Sequence, residues 1–139
     1  MSNVQYVWRG HFVNQELNRL HADAFEHGVY DEAEWDWEEL CHSHSLGWVT
    51  ARIDGNLVGF VNVISDGLVH AWIQDEMVAS TARRRGIGVH LVHAARDAAR
   101  AAGCEWLHVD FDDDLKPFYY DAAGFKPTNG GLIHLREHD

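Results

Sequence analysis

The chain has only two cysteines, Cys41 and Cys104, and they form no Cys-x-x-Cys pair, so neither a disulfide framework nor a redox motif is expected. Apolar runs are short. None approaches the roughly 20 residues that a membrane-spanning helix needs. The start, Met-Ser-Asn-Val-Gln, carries neither a basic n-region nor an apolar h-region, and the expectation is a cytoplasmic protein without a membrane partner. Basic residues are also scarce, 11 Lys and Arg against 22 Asp and Glu, for a formal charge of −11. A nucleic-acid binder needs a basic face to displace counterions, so that partner is not expected. Repeats, linkers and low-complexity segments are absent from the sequence.

What remains is a chain suited to one packed core. At 139 residues, with 46% apolar content and six Trp, a single domain over 1–139 is expected. The charges are unevenly spread. Asp23, Glu26, Asp31, Glu32, Glu34, Asp36, Glu38 and Glu39 crowd the first third, whereas Arg83, Arg84 and Arg85 stand together. That polarity suits an anionic ligand at one surface and a cationic partner at a neighbouring one, although acids on helices are also ordinary solvated faces.

Periodicity and turn residues give the order of elements. Val4 to Trp8 reads as a strand, and Asn14 as the cap of a helix from about Gln15 to His27. Asp31 reads as the cap of a second helix over Glu32 to His42, with Trp35 and Leu40 as inward anchors. Asp54-Gly55 between two apolar strands is a hairpin signal, and Asp66-Gly67 repeats it before a strand from His70 to Val78. A helix over 87–102, closed by Gly103, leads to a strand from Trp106 to Phe111. A short helix from Leu115 to Ala123, capped by Asp114 and with Pro117 in its first turn, precedes a closing strand near Leu132 to Leu135. The resulting expectation is an α/β fold, a twisted mixed sheet with helices on both faces.

Between the strand ending at Val78 and the helix lies Arg83-Arg-Arg-Gly86-Ile87-Gly88. Glycines at a strand-to-helix turn leave room for a ligand, and the first N–H groups of the helix carry the positive end of its dipole, so the turn suits a phosphate. It is too short for the Walker loop and lacks the three glycines of the dinucleotide fingerprint.

The pattern Val78-(four residues)-Arg83-x-x-Gly86-x-Gly88, followed about thirty residues later by Tyr120-Asp-Ala-Ala-Gly124-Phe125, resembles the GNAT superfamily of acetyl-CoA-dependent N-acetyltransferases. The resemblance covers essentially the whole chain, and the element order is the one that family has. It implies a mostly antiparallel sheet whose central strand pair splays apart to admit the thioester arm of the co-substrate, acetyl-CoA. The pyrophosphate is then expected on the backbone of Arg84, Arg85, Gly86, Ile87, Gly88 and Val89, with Arg83 and Arg85 adding charge. Met77 and Val78 are expected beside the pantetheine, where a preorganised N–H stabilises a developing oxyanion. Family precedent also makes a homodimer plausible.

By the same resemblance Tyr120 is the acid that protonates the departing thiolate, a role that suits a phenol. Its alternative is packing beside Phe118 and Tyr119. The base that deprotonates the amine is expected at Glu76, with Asp75 on the opposite strand face and Asp110 beside His108 as alternatives. Many relatives carry a glutamate where this chain has Gln74. Asp113 falls where relatives have an asparagine against the cofactor arm, and an acid there can instead cap the helix. Cys104 and Ser80 are read as structural. His90 and His93, or Cys41-His42-Ser43-His44, lack the framework of a catalytic zinc, so no metal is expected. The implied function is acetyl transfer by direct attack of a primary amine, the acceptor being a cationic small molecule held by the acids, Trp35 and Trp37. A protein lysine or N-terminus as acceptor, and a non-catalytic CoA-binding module, are the rival readings.

Overall fold

The computed structural model describes residues 3–136. They fall into two compact units, Met1–Val109 and Asp110–Asp139.

The first unit contains β1 (Val4–Trp8), α1 (Asn14–Phe25), α2 (Trp37–His44), β2 (Ser45–Ile53), β3 (Asn56–Ser65), β4 (His70–Val78), α3 (Ile87–Ala101) and β5 (Trp106–His108). The strands lie side by side in chain order, antiparallel from β1 to β4 and parallel between β4 and β5. A parallel pair requires a crossover, and α3 supplies it. The β2–β3 turn has Asp54 at φ 50° and Gly55 at φ 81°, the two positive φ values that a tight hairpin of this twist requires.

Helices cover both faces. Phe60 and Met77 join Phe12, Leu17, Leu20, Trp37 and Cys41 in the core beneath α1 and α2. The residue before Phe60 in β3, Gly59, faces the other side of the sheet. A Cβ there would stand 3.0 Å from Leu91 Cδ1 and 3.2 Å from Ile87 Cγ2, so the missing side chain lets α3 approach the sheet. The buried stripe of α3, Ile87, Leu91, Val92, Ala95 and Ala99, has helical spacing.

The first two helices depart from the sequence reading. Asn14 does not cap α1. Val13 holds the cap position, and its N–H donates to Glu16 Oε1 at 3.2 Å. Asn14 instead accepts from Glu38 N–H and donates to Asp36, both at 2.8 Å, so it completes the start of α2. The reading of a helix from Glu32 is corrected too. Asp31 and Glu34 do exchange capping hydrogen bonds, but the turn does not propagate, and α2 begins only at Trp37, with Asp36 accepting from Glu39 N–H. Trp37 and Cys41, one turn apart, are the residues that bury a helical face here. Trp35, expected inside, is 42% exposed, while Leu40 packs partly buried against the core.

β5 is shorter than the expected Trp106–Phe111, because its ladder stops where Trp72 meets His108. In the second unit Leu115 N–H closes a 3₁₀ turn onto Asp112, and Pro117–Ala122 forms a π-helical segment. Asp114 does not cap that segment; it lies inside the preceding turn, and the residue at the cap position is Lys116. Residues 132–135 form no strand and join no ladder of the described sheet.

Candidate active site

The arginine-rich turn is shaped by its backbone. After β4, Ala79 N–H returns to Val58 O at 2.7 Å, Ser80–Ala82 make one 3₁₀ turn, and Arg83 is extended. Arg84 and Gly86 are both left-handed, at φ 66° and 76°. Gly86 is thus required by its own φ, since a Cβ there would meet nothing within 4 Å. Arg84 adopts the same region without that freedom, at a cost of about 1–2 kcal/mol. Left-handed residues interleaved with others turn successive N–H groups toward one concavity, the backbone nest that binds anions. His90 N–H closes onto Gly86 O at 3.1 Å, and the helical amides before it, Ile87 to Val89, have no acceptor within α3. Arg84 and Arg85 are exposed, whereas the Ile87 side chain is buried and offers only its backbone.

Arg83 is engaged differently. Its Nη2 donates to Ala24 O, in the last turn of α1, at 3.2 Å. Asp23 beside it accepts from both Ser80 N–H and Ser80 Oγ. These bonds, with some help from Arg83, hold the Asp23 carboxyl below its ordinary range.

β4 carries a bulge. Met77 pairs with Phe60 and Gln74 with Asn62, so Asp75 and Glu76 together oppose the single residue Val61. Asp75 is left-handed at φ 55°. The expectation that Asp75 and Glu76 occupy strictly opposite faces is therefore corrected, because an extra residue breaks the two-residue alternation. The Asp75 carboxyl is hydrogen-bonded by the Asn62 side chain, yet burial still raises its pKa. Asn62 is itself buried and accepts from Ser45 Oγ at 2.5 Å. Ser45 also meets the Cys41 thiol, which burial pushes up to about 11. Asn62 could have been singled out, since a lone amide within Phe60-Val61-Asn62-Val63 needs a partner. Asp23 gave no such signal.

Met77 is buried in the core under α1, and Val78 ends the strand. Beyond Trp72 the pairing of β4 with β5 ends, and residues 73–78 continue without a β5 partner. The ladder between the central pair therefore closes at Trp72 and His108, and β4 runs on beyond it.

Within the second unit, Tyr119 is 7% exposed and stacks on Phe111 with ring centroids 4.5 Å apart. Tyr120 is half-buried and meets Phe111 edge-on at 5.2 Å. The packing role thus falls mainly to Tyr119. Gly124 at φ 88° lets Phe125 N–H reach Tyr119 O, which closes the segment. Asp113 pairs with Lys116 at 3.2 Å and caps nothing.

The model of the acetyltransferase (GNAT) family matches residues 14–125. The chain belongs to that family. As a GNAT acetyltransferase it is an acyl-transferring enzyme with acetyl-CoA as co-substrate. The nest at Arg84–Gly86, the helical amides and the exposed Arg84 and Arg85 fit the pyrophosphate of such a ligand. Among solved structures, the chain is similar to the aminoglycoside N-acetyltransferase AAC(6')-Iy in complex with CoA, at 18% identity, TM-score 0.76 and coverage of 99% of this chain and 97% of that one. An acetyltransferase from Trypanosoma brucei matches at 16% identity and TM-score 0.78, covering 95% and 99%. An aminoglycoside acetyltransferase from an uncultured soil metagenomic sample, in complex with sisomicin, matches at 19% identity and TM-score 0.71, covering 97% and 95%. At these identities the likeness is one of fold. A search of curated proteins finds no match. Among the described residues, no helix is long and apolar enough to cross a membrane.

Proposed function

We propose that this acetyltransferase moves the acetyl group of acetyl-CoA to a primary amine on a cationic small molecule, by direct attack while both substrates are bound. The observation that carries the donor half is the left-handed pair Arg84 and Gly86 ahead of α3, which aims backbone N–H groups at an anion. Acetyl-CoA supplies an activated thioester, and the protein's residues hold it and handle the protons.

The acceptor half draws on charge. Glu26, Asp31, Glu32 and Glu34 are exposed between α1 and α2, beside Tyr30 and the half-exposed Trp35, whose rings lie 6.1 Å apart. Carboxylates and an aromatic face suit an ammonium group. Trp37 has no part in this surface, because it is buried in the core. Two of the solved structures cited above are aminoglycoside acetyltransferases, which favours a small polycation over a protein acceptor.

The ammonium must lose a proton before it attacks, and the bulge in β4 offers two carboxylates, Glu76 and Asp75, for that step. Tyr120 is the proposed acid for the departing thiolate, its neighbour Tyr119 having taken over the packing. Thiol release from acetyl-CoA across a panel of aminoglycosides, diamines and lysine peptides tests the reading. Turnover with polycationic small molecules supports it. Turnover confined to peptides would move the acceptor to a protein, and CoA binding without turnover on any amine would make the chain a binding module.

A further inference from the structure

α1 ends against the segment that leads into the phosphate turn, and the contact has an unusual form. Ser80 N–H donates to Asp23 Oδ2 at 2.7 Å and Ser80 Oγ donates to Asp23 Oδ1 at 2.8 Å, so one residue occupies both carboxylate oxygens. Arg83 Nη2 donates in the opposite sense, to Ala24 O at 3.2 Å. Ser80 opens the 3₁₀ turn, where a backbone N–H has no acceptor of its own. Asp23 therefore serves as the cap of that turn, supplied from another helix. The Ala24 carbonyl is likewise an orphan of the last turn of α1, and a guanidinium suits that end of a helix dipole.

The electrostatics run against a binding role for this carboxylate. A negative charge beside an anion site repels the ligand. The hydrogen bonds that the Asp23 carboxylate accepts come from Ser80, in the segment that leads into the site. We propose that Asp23 is a positioning residue for the CoA-phosphate turn: by fixing Ser80, while Ala24 fixes Arg83, it holds the residues on either side of Ala82 so that Arg84 and Gly86 keep their left-handed geometry. The proposal rests on reading that turn as the phosphate site.

Its sign makes it testable. If Asp23 acted by charge alone, removing it would tighten CoA binding, whereas the positioning role requires that binding weaken. Calorimetric Kd values for CoA and for pantetheine, which lacks the pyrophosphate, are compared for the wild type, Asp23→Ala and Asp23→Asn, with thermal unfolding recorded for each. Asp23→Ala should lose tenfold or more for CoA with pantetheine unchanged. Asp23→Asn keeps an acceptor for Ser80 N–H and a polar partner for Ser80 Oγ, and should recover most of the loss. Asp23→Ala binding CoA as tightly as the wild type, or losing CoA and pantetheine equally, would overturn the positioning role. A wild type that does not prefer CoA to pantetheine would instead show that the turn is not the phosphate site, and the proposal would fall with it.

Discussion

The Trp37 indole donates to Asn18 Oδ1 at 2.8 Å inside the core, with Trp37 at 0% and Asn18 at 1% exposure. Asn18 also donates to Trp35 O, so one buried amide from α1 fixes both the start of α2 and the chain entering it. Trp37→Ala should cost about 3–5 kcal/mol in denaturant unfolding, the range for removing a large buried aromatic. Asn18→Ala, which leaves the indole N–H without its acceptor, should cost about 1–3 kcal/mol. Trp35→Ala should leave unfolding nearly unchanged and raise KM for the amine.

Asp75 should show opposite effects on stability and activity. Burial raises its folded pKa above the unfolded value. Its contribution to stability is therefore full below the unfolded pKa and lost as pH rises through the folded one, so at neutral pH the ionised group is destabilising. Asp75→Asn removes that cost and still accepts from Asn62. A raised melting temperature at pH 7 is expected, and measurement across acid pH should show the advantage shrinking. If Asp75 is the base, turnover should fall by about 10²–10⁴-fold, while Glu76→Gln should have the lesser effect. The reverse ranking assigns the base to Glu76.

Tyr120→Phe should lower turnover and leave the Kd for acetyl-CoA nearly unchanged, as measured by thiol release and calorimetry. Unchanged turnover would remove Tyr120 from the mechanism.

Cysteine labelling checks the packing of α2. With its thiol buried and pushed up to about 11, Cys41 should resist iodoacetamide at pH 8 in the folded protein. Cys104, which is partly accessible, should react first, as mass spectrometry of the labelled peptides would show.

The sheet was legible where local chemistry dictated it. Asp54-Gly55 specified its hairpin through two positive φ values, and the bounds of β4 and the start of α3 followed from composition and Gly86. The left-handed turn at Arg84 and Gly86 was legible for the same reason, since it is built from one stretch of backbone. What could not be read depended on distant partners. Asn14 looked like a local cap and turned out to serve α2. Trp35 and Trp37 are two residues apart, and only the tertiary packing decides which is buried. The bulge at Asp75 and Glu76 is a property of the pairing between β3 and β4, invisible to a pattern that counts by twos.

The most direct measurement is amide hydrogen exchange of residues 84–89 with and without CoA. These are the N–H groups of the left-handed turn and the first turn of α3 that the proposed site offers to a pyrophosphate. CoA should slow exchange at these amides more strongly than anywhere in β1 or β2, and pantetheine should not. CoA that binds tightly and leaves exchange at 84–89 unchanged would contradict the site.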